Sequence, residues 1–184
     1  MNKNIVITGS YNGQDSSGDE CLLKCVVQRV RSKLPDSKIT IQLHDIETPF
    51  IQKYSKDTSV SISRGIQYFM WRVGGLMARL YIPSRLSEFL VKNIALKLAE
   101  LFGIKSVKYP IRDLRNADVF LVYGGTQFSG QWYKLNGPAY FKSVSIVGKS
   151  GGKVVFGPQQ YGPFQSTETL NQLKGFLNND VDEW

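Results

Sequence analysis

Asn4-Ile5-Val6-Ile7-Thr8-Gly9 opens the chain, followed by a loop from Ser10 to Ser16 and then Ser17-Gly18-Asp19-Glu20-Cys21-Leu22-Leu23. A short β-branched run reaches a glycine, a polar loop follows, and helical periodicity begins. That order is strand, loop, helix, the first unit of an α/β sheet. In such a sheet the loop lies outside the carboxyl end of the strand, where ligands bind.

Outward from this unit, Leu22, Leu23, Val26, Val27, Val30 and Leu34 recur at helical spacing, and Ser17 stands three residues before Glu20 as in a capping box. Pro35-Asp36-Ser37 ends that helix, and Lys38 to Leu43 alternates as a second strand, with His44-Asp45 at its carboxyl end. Val119 to Tyr123 is a continuous apolar run, as expected of a central parallel strand, and it breaks at Gly124-Gly125-Thr126. A helix over Pro138 to Lys149, stopped by Gly151-Gly152, leads to a strand at Lys153 to Phe156 and a loop from Gly157 to Phe164. Thr167 to Leu177 reads as a further helix. The fold expected is a doubly wound, mostly parallel α/β sheet in one domain spanning 1–184.

Residues from about 47 to 115 break the rhythm and read as a helical insertion between two sheet strands. Arg64 to Tyr81 fits an amphipathic basic helix, Leu86 to Phe102 a second helix ending at Gly103, and Ile111 to Leu114 a short connector. Between Lys53 and Arg115 twelve basic residues face four acidic ones, so this segment alone accounts for the net charge of +8. The basic stretch holding Arg64, Arg72, Arg79 and Arg85 suits anionic lipid or a lipid-linked polyanionic substrate. The plainer alternative is a surface helix with one face packed on the sheet. No recognition motif supports binding to a specific nucleic acid.

Composition narrows the class further. With 42% hydrophobic and 21% charged residues the chain is a folded protein, not a disordered tail. The first apolar run, Ile5-Val6-Ile7, is too short for a signal peptide, and no run approaches the roughly 18–20 residues that span a bilayer. Two cysteines without an export signal point to a cytoplasmic protein without a disulfide framework. Cys21 and Cys25 have neither redox nor zinc spacing, there is a single histidine, and the two thiols read as buried core groups. No metal site or cofactor is expected: Gly9, Gly13 and Gly18 lack the dinucleotide spacing, and Gly148-Lys149-Ser150 closes a helix where a P-loop would open one.

The candidate ligand contacts lie in the loops at strand ends. Gly18, Asp19 and Glu20 occupy the first helical turn, where free N–H groups and the helix dipole favour an anion. Glu20 serves equally well as a cap, whereas Asp19 and Asn12 read as ligand contacts because the loop is longer than a cap requires. Gly124, Gly125 and Thr126 could form a backbone nest for an anion, or merely a strand-ending turn. Gln159 and Gln160 offer amides in a loop stiffened by Pro158 and Pro163. His44 reads as solvated or structural, although a base near neutral pH is open to it.

Taken together, these loops resemble the polysaccharide pyruvyl transferase family. Asn12 through Ser17-Gly18-Asp19-Glu20 is similar to its Asn-x-Gly-Asp loop, with extra residues in between. Ala117-Asp118 and the strand to Tyr123, then Gly124-Gly125-Thr126, resembles its Ala-Asp, strand and glycine-triplet pattern, with Thr126 for the third glycine. Gly157-Pro158-Gln159-Gln160-Tyr161-Gly162-Pro163 is similar to its Gly-Gln and Gly-Pro segment. The resemblance implies a Rossmann-like lobe of a two-lobed, glycosyltransferase-like fold, corresponding to the N-terminal half of a typical member, with the second lobe absent after Trp184. It implies transfer of a pyruvyl group from phosphoenolpyruvate to a sugar or lipid-linked saccharide of a cell-surface polysaccharide, in the cytoplasm or at the inner face of the membrane. It assigns no catalytic residue here and leaves activity of the chain by itself open. Two rival readings stand beside it: a glycosyltransferase lobe using a nucleotide sugar, and a non-catalytic module binding polyanions or membranes.

Overall fold

The computed structural model describes residues 2–9, 17–44, 46, 51, 56, 60–80, 90, 94–124 and 130–157, with isolated positions at 167, 170, 171 and 174. Five strands form one parallel sheet: β1 (Asn4–Gly9), β2 (Lys38–Leu43), β3 (Val60–Arg64), β4 (Val119–Tyr123) and β5 (Lys153–Phe156). Their order across the sheet is β3-β2-β1-β4-β5, the doubly wound Rossmann-like order. The chain runs outward from β1 to one edge and then returns to continue on β1's other side, so the order reverses between β1 and β4. Because every strand points the same way, all of their carboxyl ends, and the loops that leave them, share one edge.

The interior strands β1 and β4 are apolar on both sides because both sides are covered, whereas β2 buries Ile39, Ile41 and Leu43 on one side and the polar Thr40 and Gln42 on the other. Ile5 and Ile7 point, with Ile39, Ile41, Leu43 and Val60, toward α1 (Ser17–Lys33), whose Leu23 and Val27 complete that core. Val6, Phe120, Val122 and Val154 point the other way, into helices α2 (Ile66–Arg79), α3 (Leu96–Leu101), α4 (Lys105–Arg115) and α5 (Gly130–Lys149). Asp19 and Glu20 in the first turn of α1, with Arg31 and Lys33 in its last, match the helix dipole.

Glycine sets two of the helix ends. Gly103 (φ 68°) and Gly151 (φ 81°) take the left-handed conformation just past α3 and α5. At each end the backbone bonds are those of a Schellman closure: Ile104 N–H to Ala99 O (2.9 Å) and Gly103 N–H to Glu100 O (3.0 Å), then Gly152 N–H to Val147 O (3.1 Å) and Gly151 N–H to Gly148 O (3.0 Å). Gly148-Lys149-Ser150 is thus the end of a helix, as its sequence implied.

The structure departs from the sequence reading in several places. The 47–115 region is more than a helical insertion, because Val60–Arg64 joins the sheet as edge strand β3, in register with Ile39–Leu43. The basic helix accordingly starts at Ile66, and Arg64 belongs to a strand. Ile111 to Leu114 is no connector: it belongs to α4, whose buried face is Val107, Pro110, Ile111 and Leu114 at helical spacing. Pro110 lies inside that helix and disguised it. Helix α5 begins eight residues before Pro138, at Gly130.

Cys21 and Cys25 are exposed, not buried. At 100° per residue both fall on the far side of α1 from Leu23 and Val27, so the helical period itself turns them to solvent. Most of the helix expected over Thr167 to Leu177 lies outside the described residues.

Candidate ligand site at the carboxyl edge

The floor of the site is the meeting point of β1 and β4. Gly9, the last residue of β1, is paired in register with Tyr123, the last of β4, and both are buried. A side chain at position 9 has no room, because a Cβ there would lie 2.5 Å from the Tyr123 carbonyl oxygen and closer still to a carbon of its ring. From α5 the Tyr140 hydroxyl donates to the Gly9 carbonyl at 3.1 Å. On the other side of β4, Gly157 N–H donates to Val122 O at 2.7 Å, so the loop after β5 leaves from the same edge.

Above this floor Gly124 packs against α1. Gly124 is buried, with φ 41°, and a Cβ on it would stand 3.1 Å from the Leu22 methyls of α1. Leu22 lies one helical turn beyond Gly18, on the same helix face. Gly18 is exposed with no atom within 4 Å of where its Cβ would be. The turn after β4 therefore meets α1 one helical turn from its start, where exposed Gly18 and half-buried Asp19 and Glu20 lie. Of the residues singled out from sequence, Gly18, Asp19 and Gly124 lie at this edge, with Leu22 linking Gly124 to the helix that Gly18 and Asp19 open. Asn12, Gly125, Thr126, Gln159 and Gln160 lie outside the described residues, as does Arg85.

A second group on the same edge escaped the sequence reading. Leu43 and Arg64 end β2 and β3 as register partners, and Gly65 N–H donates to Leu43 O at 2.9 Å. His44 and Arg64 thereby converge on Tyr68 in the first turn of α2. The guanidinium carbon of Arg64 lies 4.6 Å from the ring centroid, and the His44 ring meets the same ring edge-on at 5.5 Å. All three side chains are half-buried. The signal that could have found this group is the two-residue alternation in Val60-Ser61-Ile62-Ser63-Arg64, which makes the arginine a strand-end residue.

Beneath both groups runs a buried polar chain. The Gln67 side-chain amide donates to Thr8 Oγ1 (3.1 Å), the Thr8 hydroxyl donates to Gln42 O (2.9 Å), and the Gln42 amide donates to Pro110 O (3.1 Å). It ties the first turn of α2 and the middle of α4 to the ends of β1 and β2. Because each link is satisfied away from water, the chain fixes those strand ends in place.

The opposite, amino edge explains two other features. Asp118 Oδ2 accepts from the Asn4 backbone N–H at 2.7 Å, and Asp118 O accepts from Lys153 N–H at 2.9 Å. The Ala-Asp pair thus starts three strands and touches no ligand edge. Burial raises the pKa of Asp113 of α4, against the lowering pull of Arg112 and Lys38. Lys38 begins β2, which puts this perturbed carboxyl at the amino edge too, so it marks packing and not the crevice.

Among the described residues no three His, Cys, Asp or Glu side chains gather as a metal would require, and no helix is long and apolar enough to cross a membrane. Fold and edge together define a Rossmann-like α/β protein whose candidate site lies at the topological switch point between β1 and β4. No protein-family model, curated protein or solved structure matches the chain.

Proposed function

We propose that this edge binds phosphoenolpyruvate together with a sugar, and that the chain is the N-terminal lobe of a transferase like the polysaccharide pyruvyl transferases. The observation that carries the reading is the pairing of Gly9 with Tyr123 at the switch point, with Gly124 packed on α1 through Leu22, one turn from Gly18. The dipole at the amino end of α1 and the left-handed turn at Gly124 suit phosphate or carboxylate oxygens. Asp19 suits the hydroxyls of a sugar, and Arg64 brings positive charge to the same edge.

The chemistry is balanced within the two substrates. Protonation of the phosphoenolpyruvate methylene allows a sugar hydroxyl to attack C2. Loss of inorganic phosphate and attack by a second hydroxyl then close a cyclic ketal, and both hydroxyl protons pass to a base. The role of Gly124 and the α1 terminus is to hold the departing phosphate. A lipid-linked acceptor would place the reaction at the cytoplasmic face of a membrane, with Arg72 and Arg79, both exposed on α2, toward anionic headgroups.

One rival reading has an observation of its own. A guanidinium beside an aromatic ring at the ends of β2 and β3 also suits a nucleotide, which in this strand order sits over β2. Saturation-transfer NMR on the full chain separates the two. Signal transfer to phosphoenolpyruvate, and none to uridine or guanosine diphosphate sugars, is the expected result. Transfer to a nucleotide sugar alone would replace pyruvyl transfer with glycosyl transfer.

A further inference from the structure

Helix α3 is apolar on two sides and covered on one. Leu96 and Ala99 face inward and pack with Val107 and Ile111 of α4. Ile94, Leu98 and Leu101, at the i, i+4, i+7 spacing of one helical face, point to solvent, and the stripe continues into Phe102 and Ile104. Leu101 is 78% exposed and Phe102 77%, the two most open large apolar side chains among the described residues. This is no frayed end. The closure at Gly103 pins the turn by bonds from Phe102, Gly103 and Ile104 N–H to Leu98, Glu100 and Ala99 carbonyls. Leucine and phenylalanine are held outward by a rigid backbone, at a standing cost in exposed apolar surface.

The charges around the stripe say what covers it. Lys97, Lys105 and Lys108 are exposed beside it. The single acidic residue from 89 to 112 is Glu100, and its carboxylate is ion-paired with Arg115 at 2.5 Å. A second copy of the chain meeting this face about a two-fold axis would set those lysines against themselves. An anionic bilayer satisfies both features, taking apolar side chains at the acyl boundary and ammonium groups at the phosphates.

We infer that α3 and the turn after it, centred on Leu101 and Phe102, form a membrane-docking surface for anionic lipid. The inference extends the membrane contact proposed through α2 from cations alone to an inserted apolar edge, and it does not depend on pyruvyl transfer.

Co-sedimentation of the full chain with vesicles of phosphatidylcholine, with and without one-third phosphatidylglycerol, tests it. Leu101→Ser/Phe102→Ser should weaken binding to the anionic vesicles at least about 30-fold, from the loss of two inserted side chains. Both side chains are exposed, so the thermal midpoint should not fall. Lys97→Gln/Lys105→Gln should cost about fivefold per lysine at low salt and less at high salt. The inference is overturned if the serine variant binds as the wild type does while Arg72→Gln/Arg79→Gln does not, since contact then runs through α2 alone. It is equally overturned if the wild type ignores anionic vesicles, or if it self-associates without lipid and the serine variant does not.

Discussion

Replacing Gly9 and Gly18 separately by alanine is a paired test of how the crevice is built. The two substitutions are chemically identical and lie in one strand–loop–helix unit. At Gly9 the new methyl would stand 2.5 Å from the Tyr123 carbonyl oxygen and closer still to its ring. An ordinary carbon–oxygen contact is about 3.3 Å or more. The ends of β1 and β4 must therefore part by most of an ångström where they are paired in register. Overpacking of this kind costs about 1–3 kcal/mol, and alanine's smaller unfolded-state entropy returns well under half of that. A net loss of about 2 kcal/mol is expected for Gly9→Ala. At Gly18 nothing lies within 4 Å of the new methyl, and the residue is helical. There the same change should stabilise by up to about 1 kcal/mol. Urea unfolding followed by circular dichroism gives both values, read from midpoints at constant slope. The reasoning is refuted if Gly9→Ala falls within about 0.5 kcal/mol of the wild type, or if Gly18→Ala is the more damaging of the two.

Thr8→Val removes the hydroxyl between Gln67 and Gln42 and leaves a buried amide unpaired, for a loss of roughly 1–3 kcal/mol. Adding Gln67→Met to it should cost less than the sum of the single changes, because both partners then go. Burial holds the Asp113 pKa above its ordinary value, so the folded state keeps that proton more tightly than the unfolded chain. The resulting stability is present at acid pH and is lost as pH rises through the folded pKa. Asp113→Asn should therefore melt higher than the wild type at pH 7, with the gap closing at low pH. A lower melting point at pH 7 would mean that the exposed Arg112 partner, at 3.6 Å, outweighs burial. Cys21 and Cys25 should both react with an aromatic disulfide reagent in the native state as fast as in urea, and protection of either would contradict their placement on α1.

The framework was legible in the sequence wherever a strand was covered on both faces. Ile5 to Ile7 and Val119 to Tyr123 are near-continuous apolar runs because helices lie on either side of them. Edge strand β3 was missed because it offers only a short alternation in place of an apolar run. Val60 and Ile62 bury one face only, and Ser61 and Ser63 break the apolar run. With β3 missed, Arg64 was read onto a helix and away from the ligand edge. Pro110 hid α4 because an internal proline ordinarily ends a helix. Its loss is tolerated here where Val107, Ile111 and Leu114 bury one complete face.

Parts of the site were legible through backbone requirements. Gly124 needs its left-handed φ, and Gly18 and Asp19 open a helix that faces it. The convergence of His44, Arg64 and Tyr68 was not, since it depends on the register of β3 against β2, which no local pattern specifies. The exposed cysteines were within reach of the helical wheel, which places them opposite Leu23 and Val27.

The central claim is that an anionic ligand sits on the carboxyl edge of the sheet, and calorimetric titration of phosphoenolpyruvate into the full chain tests it most directly. Arg64→Gln, at that edge, should weaken binding by about tenfold or more through the loss of a charge-assisted contact. Lys3→Gln, an equal charge change at the amino edge before β1, should leave it unchanged. Absence of binding by the wild type, or weakening by Lys3→Gln and not by Arg64→Gln, would contradict the claim.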